Sequence, residues 1–350
     1  MRHPMSTSVA VSVGLDYSQE AVRVCVLGPD GAQRLNRDLP NDAAVIAAAV
    51  ERRADHGPIR GCAIEACCGA ADLAQELADR FGWSVSLAHP GFVSRMKQSP
   101  DKSDYTDARM LADLERVGYL PRVWLAPRQV RDLRTLVRDR QWLARQRRSM
   151  KLQVGALLRE HRVRRPWSGK NWTKRHRGWL STVQLPEHAQ WVLGQRLARL
   201  AWVEGQIATV EKRLSEVTAD DAVVQQLLSI RGVGPVVAWT LRAEVGDFHR
   251  FRTGKQLARF CGVCPSNRSS GQKQADAGLV RQANGELRRV LIESAWALSR
   301  NHPKFRELAL SLRARGKPGS LVSAAIANRF VRWLYHEMTR HPRKVMDAAA

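Results

Sequence analysis

Val9, Val11, Val13 and Leu15 alternate with small or polar residues until Asp16, the period of two that marks a strand with one buried face. A second apolar run over residues 21–27 leads to Gly28-Pro29-Asp30-Gly31, a turn signal, and then to a weaker strand over 33–39. Together these predict an antiparallel meander. Asn41 or Asp42 is placed to cap a helix running through Arg53. Residues 61–66 form a short apolar strand carrying Glu65, 70–81 a helix and 84–88 another strand. The order β-β-β-α-β-α-β, then a helix, predicts an α/β layer around a mixed sheet.

Beyond residue 127 the period changes to that of helices. Leu133, Leu136 and Val137, then Trp142 and Leu143, then Met150, Val154 and Leu157 recur at helical spacing; a second pattern runs from Trp191 through Leu200 and Ile207 to Leu214. Two long helices joined across residues 162–185 predict an antiparallel hairpin or an intermolecular coiled coil. Leu228-Ser229-Ile230-Arg231-Gly232-Val233-Gly234-Pro235 then reads as a helix end, a Gly-x-Gly turn and a helix restart, a helix-hairpin-helix-like pattern in a mainly helical C-terminal segment. The expected domains are 1–127, an α/β layer; 128–222, a helical connector; and 223–350.

Charge sharpens this division. The 350 residues carry 57 Lys and Arg against 33 Asp and Glu, a net charge of +24. Residues 1–110 hold 12 basic and 14 acidic side chains, 111–222 hold 23 and 11, and 223–350 hold 22 and 8. The excess therefore sits entirely behind the α/β layer, where it suits a polyanion whose counterions it would displace. With 44% hydrophobic residues the chain can build a core, which excludes disorder throughout. Six cysteines, irregularly placed, do not make a disulfide framework. No uncharged apolar stretch reaches membrane-spanning length, and the first residues lack the apolar core and cleavage site of a signal peptide, so a cytoplasmic protein is expected.

Carboxylates sit where they cost stability: Asp16 ends an apolar strand, Glu65 lies within one, and Asp104 and Asp107 share one side of a helix at i to i+3. Ser103 as a cap, or either Asp at the helix N-terminus, would account for the pair alone. It would not account for Asp16 and Glu65, whereas four converging carboxylates suit one or two Mg²⁺ ions aligned for phosphoryl transfer. Residues 128–177 hold 17 basic and three acidic side chains, with Trp167, Trp172 and, just beyond, Trp179 interleaved, a nucleic-acid composition. In the hairpin pattern, Gly232 and Gly234 leave backbone N–H groups free to approach a phosphate, or simply permit a tight turn. Cys261-Gly262-Val263-Cys264 has no second pair at ligand spacing and reads as structural thiols. Ser269-Ser270-Gly271 is by composition a polar turn.

The whole chain resembles the DEDD-type insertion-sequence transposases, the RNA-guided bridge recombinases. Val13-Gly14-Leu15-Asp16, Ile64-Glu65, and Lys102-Ser103-Asp104 with Asp107-Ala108 are similar to that family's acidic motifs. Ile230-Arg231-Gly232-Val233-Gly234-Pro235, the stretch from Phe251 to Pro265, Ser270-Gly271 and Gly285 with Leu287-Arg288 resemble its C-terminal domain. The resemblance implies an RNase H/RuvC-like N-terminal domain with Asp16, Glu65, Asp104 and Asp107 as Mg²⁺ ligands, and Ser270 as the nucleophile that forms a covalent phosphoserine with DNA. It further implies a structured noncoding guide RNA, a homo-oligomer acting on DNA at the nucleoid, and nucleic-acid contacts at Lys102, Arg231, Gly232, Gly234, Arg268, Lys273 and Arg288. Two other readings stand beside it: a RuvC-like nuclease or junction resolvase using water, and a non-enzymatic nucleic-acid-binding protein.

Overall fold

A computed structural model describes residues 10–54, 58–96, 104–267 and 276–340. By internal contacts the chain divides into two units, Met1–Ala126 and Pro127–Ala350.

In the first unit, β1 (Val11–Tyr17), β2 (Ala21–Leu27) and β3 (Gln33–Pro40) form the antiparallel meander. Then follow α1 (Ala43–Glu51), β4 (Ile59–Glu65), α2 (Ala70–Phe81), β5 (Val85–Ala88), α3 (Pro90–Met96), α4 (Asp104–Arg116) and the two-residue β6 (Arg122–Val123). The six strands lie in the order β3-β2-β1-β4-β5-β6, with β1/β4 and β4/β5 parallel and the remaining pairs antiparallel. This mixed sheet is consistent with a RuvC-like domain. Of the two candidate caps for α1, Asp42 is the one used: its side chain accepts from the N–H groups of Ala44 and Val45.

Both faces of the central strands are covered, which is why Val11 to Leu15 are all buried rather than alternately exposed. One face packs Val11, Val13, Leu15 and Ile64 against Ile46 and Val50 of α1 and Leu73 and Leu77 of α2. The other face is nearly bare, and α4 lies on it. A Cβ at Gly14 would stand 2.1 Å from the carbonyl oxygen of Ala108 and 2.4 Å from the amide nitrogen of Ala112. Glycine within a strand here marks a close backbone approach. Beside it, Cys25 and Leu27 pack with Ala108 and Ala112, and Ala63 and Ala88 with Leu111.

The second unit begins with α5 (Arg128–Glu160), α6 (Lys174–Leu180) and α7 (Glu187–Val217). The two long helices pair within the chain as an antiparallel hairpin. Their seam contains Leu143, Val154, Leu157, Leu193, Val203 and Ile207, and Arg140–Glu211 at 2.7 Å and Lys151–Glu204 at 3.2 Å flank it. The seam starts at Leu193; Trp191, expected to begin the pattern, faces outward. Next come α8 (Ala222–Leu228), α9 (Pro235–Val245), a 3-10 turn at Phe248–Arg250, α10 (Gly254–Phe260), the short pair β7 (Pro265–Asn267) and β8 (Asp276–Leu279), α11 (Gly285–Asn301), α12 (Pro303–Ala314) and α13 (Gly319–Thr339). The core of these helices takes in Leu133, Val137 and Leu214 from the hairpin, so the connector and the C-terminal segment share one apolar interior. Buried Glu244 joins them by charge: it accepts from Arg138 at 2.9 and 3.2 Å and from the amide of Asn284, the N-cap of α11, at 2.8 Å, with Arg134 at 3.8 Å.

Two outcomes are expected. Gly14→Ala should destabilise the protein by about 1–3 kcal/mol in urea unfolding, since backbone must move to admit the methyl group, while Gly178→Ala, whose Cβ meets nothing within 4 Å, should not. The carboxyl of Glu204, hydrogen-bonded by Arg177 and Lys151, is held down to about 2 from 4.5. Its contribution is complete above pH 4.5 and is lost as pH falls toward 2. The stability gap between wild type and Glu204→Gln, measured by denaturant titration, should therefore shrink over that interval.

Candidate catalytic site

Asp16 and Glu65 stand at the carboxyl ends of the neighbouring parallel strands β1 and β4, where Leu15 is in register with Ile64. Register partners in a sheet share a face. Asp16 lies two residues beyond Gly14, and Glu65 is in register with Ala88; Gly14 and Ala88 both belong to the face under α4. The two carboxylates therefore project from the same face.

Helix α4 reaches that face from the same end. Its last turns lie over the beginnings of the strands, since a Cβ at Gly61 would meet the carboxylate of Glu115, and Gly61 is in register with Ser12. Its middle lies over Gly14. On one side, Tyr105 and Arg109 face β3, with the Tyr105 hydroxyl donating to Gln33 at 3.0 Å. On the other, Leu111 packs on Ala63 and Ala88. Asp107 is buried one helical turn before Leu111, in the direction in which Glu65 follows Ala63. Asp16, Glu65 and Asp107 thus lie toward one end of one sheet face. Asp104 opens α4; its side chain lies outside the described residues, as do Lys102, Arg268, Ser269, Ser270 and Lys273.

Tyr17 and Gly69 hold the two strand ends in place. A Cβ on Gly69 would lie 2.0 Å from the Tyr17 hydroxyl, and Gly69 itself is left-handed, with φ 89°. The tyrosine following Asp16 is therefore seated on the turn following Glu65. Cys67, in that turn, feels both acids: burial raises its thiol pKa, and the charges of Glu65 and Asp16 raise it further against the lowering effect of the Ala70 N–H. Neither Gly14 nor Gly69 entered the sequence reading as a site residue, although glycine inside a strand pattern was the available signal for the first. For Gly69 no local signal existed, because its partner is 52 positions away.

The donor set is all oxygen, which fits a hard divalent cation. Among the described residues, however, no group of three or more His, Cys, Asp or Glu side chains is arranged so that it could hold a metal ion. Cys261 and Cys264 are free thiols, one buried and one half-buried, and among the described residues they are not joined by other His, Cys, Asp or Glu side chains in a group that could hold a metal.

In the C-terminal segment the two hairpin glycines differ. Gly232 is left-handed at φ 95°, and its Cβ would press on the backbone of α11 at Leu298, 3.0 Å away, so its bareness is used by packing. Gly234 opens α9 and has nothing within 4 Å of its Cβ position. Arg288 is half-buried and donates to the Val280 carbonyl at 2.6 Å, bracing the segment after β8. Arg231 is exposed and, with Lys304, lowers the pKa of His302, which burial lowers most.

Comparison with known proteins connects the two segments. The DEDD transposase pattern of the IS110 group matches residues 13–163, which include Asp16, Glu65, Asp104 and Asp107, and that of the IS116/IS110/IS902 transposase family matches residues 224–309. The chain belongs to the IS110/IS116 transposase family. It is 29% identical over 287 residues to a probable family 20 transposase of Pseudomonas aeruginosa, covering 79% of this chain and 83% of that protein. It is 28% identical over 280 residues to the transposase for insertion sequence element IS1111A of Coxiella burnetii, covering 78% and 77%. The transposase for element IS1328 of Yersinia enterocolitica is 28% identical over 237 residues, covering 67% and 69%. An insertion-sequence transposase cleaves and recombines DNA, and a DEDD domain of this kind normally depends on a divalent metal. No helix among the described residues of this transposase is long and apolar enough to cross a membrane.

Gly69→Ala should separate Asp16 from Glu65 by displacing Tyr17. Metal-dependent DNA cleavage, followed on a labelled substrate, is expected to fall at least about tenfold while the circular dichroism spectrum is retained, because a misplacement on the order of 1 Å costs a reacting geometry that much or more.

Proposed function

We propose that this transposase cuts and rejoins DNA by metal-assisted attack of Ser270 on a DNA phosphate, with Asp16, Glu65, Asp104 and Asp107 as Mg²⁺ ligands. The observation that carries the reading is the placement of Asp16, Glu65 and Asp107 toward one end of one sheet face, within the segment that matches the DEDD transposases. In the attack, the serine oxygen forms an ester bond to phosphorus as the bond to one deoxyribose oxygen breaks. The serine proton departs to a base or to water, and the leaving oxygen is protonated in turn, so the strand end stays covalently attached to the protein until a second hydroxyl displaces Ser270. A serine hydroxyl is a poor nucleophile at its free pKa. A divalent cation held by the carboxylates would activate it and neutralise the charge that develops on the phosphate oxygens.

A structured noncoding RNA selects the DNA by base pairing, and the protein reads nucleic-acid backbone and shape. The strongly basic residues 111–350 support this, since a guide delegates sequence choice to pairing and asks of the protein a broad cationic surface. Arg231 and Gly234, exposed at the α8–α9 turn, are its candidate phosphate contacts there.

Incubation of the purified chain with Mg²⁺, the noncoding RNA flanking the element and labelled junction DNA should yield a protein–DNA adduct that survives denaturation. The adduct is expected to disappear in Ser270→Ala and in Asp16→Ala and to persist in Ser269→Ala. Metal-dependent cleavage with no adduct in any variant would instead make water the nucleophile, as in a junction-resolving nuclease.

A further inference from the structure

Beside the acids, past the carboxyl end of β5, the chain turns basic and aromatic. Ala88 is in register with Glu65, so His89 is the first residue beyond the strand that neighbours that acid. Its N–H donates to the Pro121 carbonyl at 2.8 Å, and its own carbonyl accepts from the N–H groups of Phe92 and Val93 to start α3. Val93 is buried with Ala63, Ala88 and Leu111, which turns α3 onto the sheet face that α4 also covers. His89, Phe92 and Arg95 recur three apart, the spacing of neighbours on a helix surface, and all are exposed, Phe92 by 45%.

These three side chains form one array. The imidazole of His89 lies 4.7 Å from the Phe92 ring, centroid to centroid, tilted at 58°, and the Arg95 guanidinium carbon stands 5.7 Å from the centroid of the same ring. A Cβ at Gly91 would come within 3.3 Å of the His89 ring, so the bare backbone there gives the imidazole its seat. The surroundings have one sign. Residues 81–100 contain His89, Arg95 and Lys97 and no Asp or Glu, although residues 1–110 as a whole hold 12 basic and 14 acidic side chains. An exposed aromatic face flanked by an imidazole and a guanidinium offers a nucleobase a stacking surface and its phosphates a countercharge. It does so without reading sequence, because every base has a π-face.

We propose that Phe92, flanked by His89 and Arg95, is the stacking platform for a nucleotide next to the reacting phosphate, and that the DNA strand is unpaired at that nucleotide. The platform rests on the proposed reading of Asp16, Glu65 and Asp107 as metal ligands and is independent of Ser270. A base within a duplex is stacked on both faces and must be unstacked before a protein ring can take one of them, so the platform selects an opened strand. Arg95 and His89 hold the phosphate chain beside the ring, where carboxylates alone would repel it.

The test uses the full-length protein with the flanking noncoding RNA and junction DNA. With Ca²⁺ in place of Mg²⁺, 5-iododeoxyuridine placed in turn at each position across the junction should photocrosslink to Phe92, located by peptide mass spectrometry, at a position beside the cleaved phosphate. In single-turnover cleavage with Mg²⁺, Phe92→Ala should raise the half-saturating DNA concentration about tenfold or more and leave the saturating rate within about threefold of wild type. Phe92→Trp should saturate like wild type. Arg95→Gln should also raise the half-saturating concentration and flatten its salt dependence. Tyr119→Ala, at a residue 70% exposed beyond the other end of α4, should change nothing. A mismatch that frees the stacked nucleotide should lower the half-saturating concentration for wild type and not for Phe92→Ala. A Phe92→Ala variant that saturates normally, a Phe92→Trp variant no better than Phe92→Ala, or a loss confined to the saturating rate would overturn the proposal, the last making Phe92 a support for α3. So would normal cleavage with crosslinks only to other residues. Cleavage without a protein–DNA adduct would remove Ser270 as nucleophile and leave this test intact, whereas a wild type that neither cleaves nor crosslinks at Phe92 would overturn the reading of the acids and the platform together.

Discussion

Helix α4 can lie on β1 only because residue 14 has no side chain. With backbone atoms of Ala108 and Ala112 close to 2 Å from where a Cβ would be, no rotamer adjustment admits a larger residue. The rest of the first unit follows from this contact. The small residues Ala63 and Ala88 keep the neighbouring strands low enough for the helix to cross, Leu111 fills the space beside them, and buried Glu115 is met over Gly61 by Arg122 at 2.7 Å. The helix is thereby fixed in height and direction, and its first turn is delivered to the strand ends that carry Asp16 and Glu65. A close backbone approach is a stiff constraint, and stiffness is what a constellation of like charges needs, since their mutual repulsion would otherwise spread them apart.

The second unit solves a different problem, which is to pack a chain segment crowded with arginine. Part of that charge is neutralised inside the fold. Glu244 takes Arg138 and Asn284 together, Asp221 takes Arg242 at 2.6 Å while also capping α8, and Glu286 takes both Arg145 and Arg289. Arg250 is held by desolvation at a pKa lowered to about 10, donating to the Val245 carbonyl and lying over the rings of Phe251 and Phe260. These pairs are worth less as stabilisation than as registration, because desolvation offsets most of their attraction. They fix α5 against α9 and α11, and leave the remaining arginines on the surface to face a polyanion.

Much of the α/β layer could be read from the sequence because its signals are local. The alternation up to Asp16, the turn at Gly28 and Pro29, the cap at Asp42 and the amphipathic run over 70–81 each act within a few residues, and the strands and helices form where those signals lie. The long helices were legible for the same reason. Less legible was which way they face: Trp191 is apolar like Leu200 and Ile207, yet nine residues at about 100° each set it half a turn from Leu200, on the outer side of α7.

For the site, sequence alone supplied the residue types and their awkward placement: Asp16 and Glu65 on apolar strands, and an Asp pair at i to i+3. Backbone propensity and hydrophobic period determined that these would sit on strand ends and a helix start. Only the tertiary structure decided that the strand ends are neighbours, that α4 crosses the same face, and that Gly14 and Gly69 make those meetings possible. It also decided that Gly232 serves packing on α11 rather than an open turn. The physical reason is one of range: propensities and capping are set by neighbours in the chain, whereas a close approach between backbones 90 or more residues apart depends on atoms the local sequence does not contain.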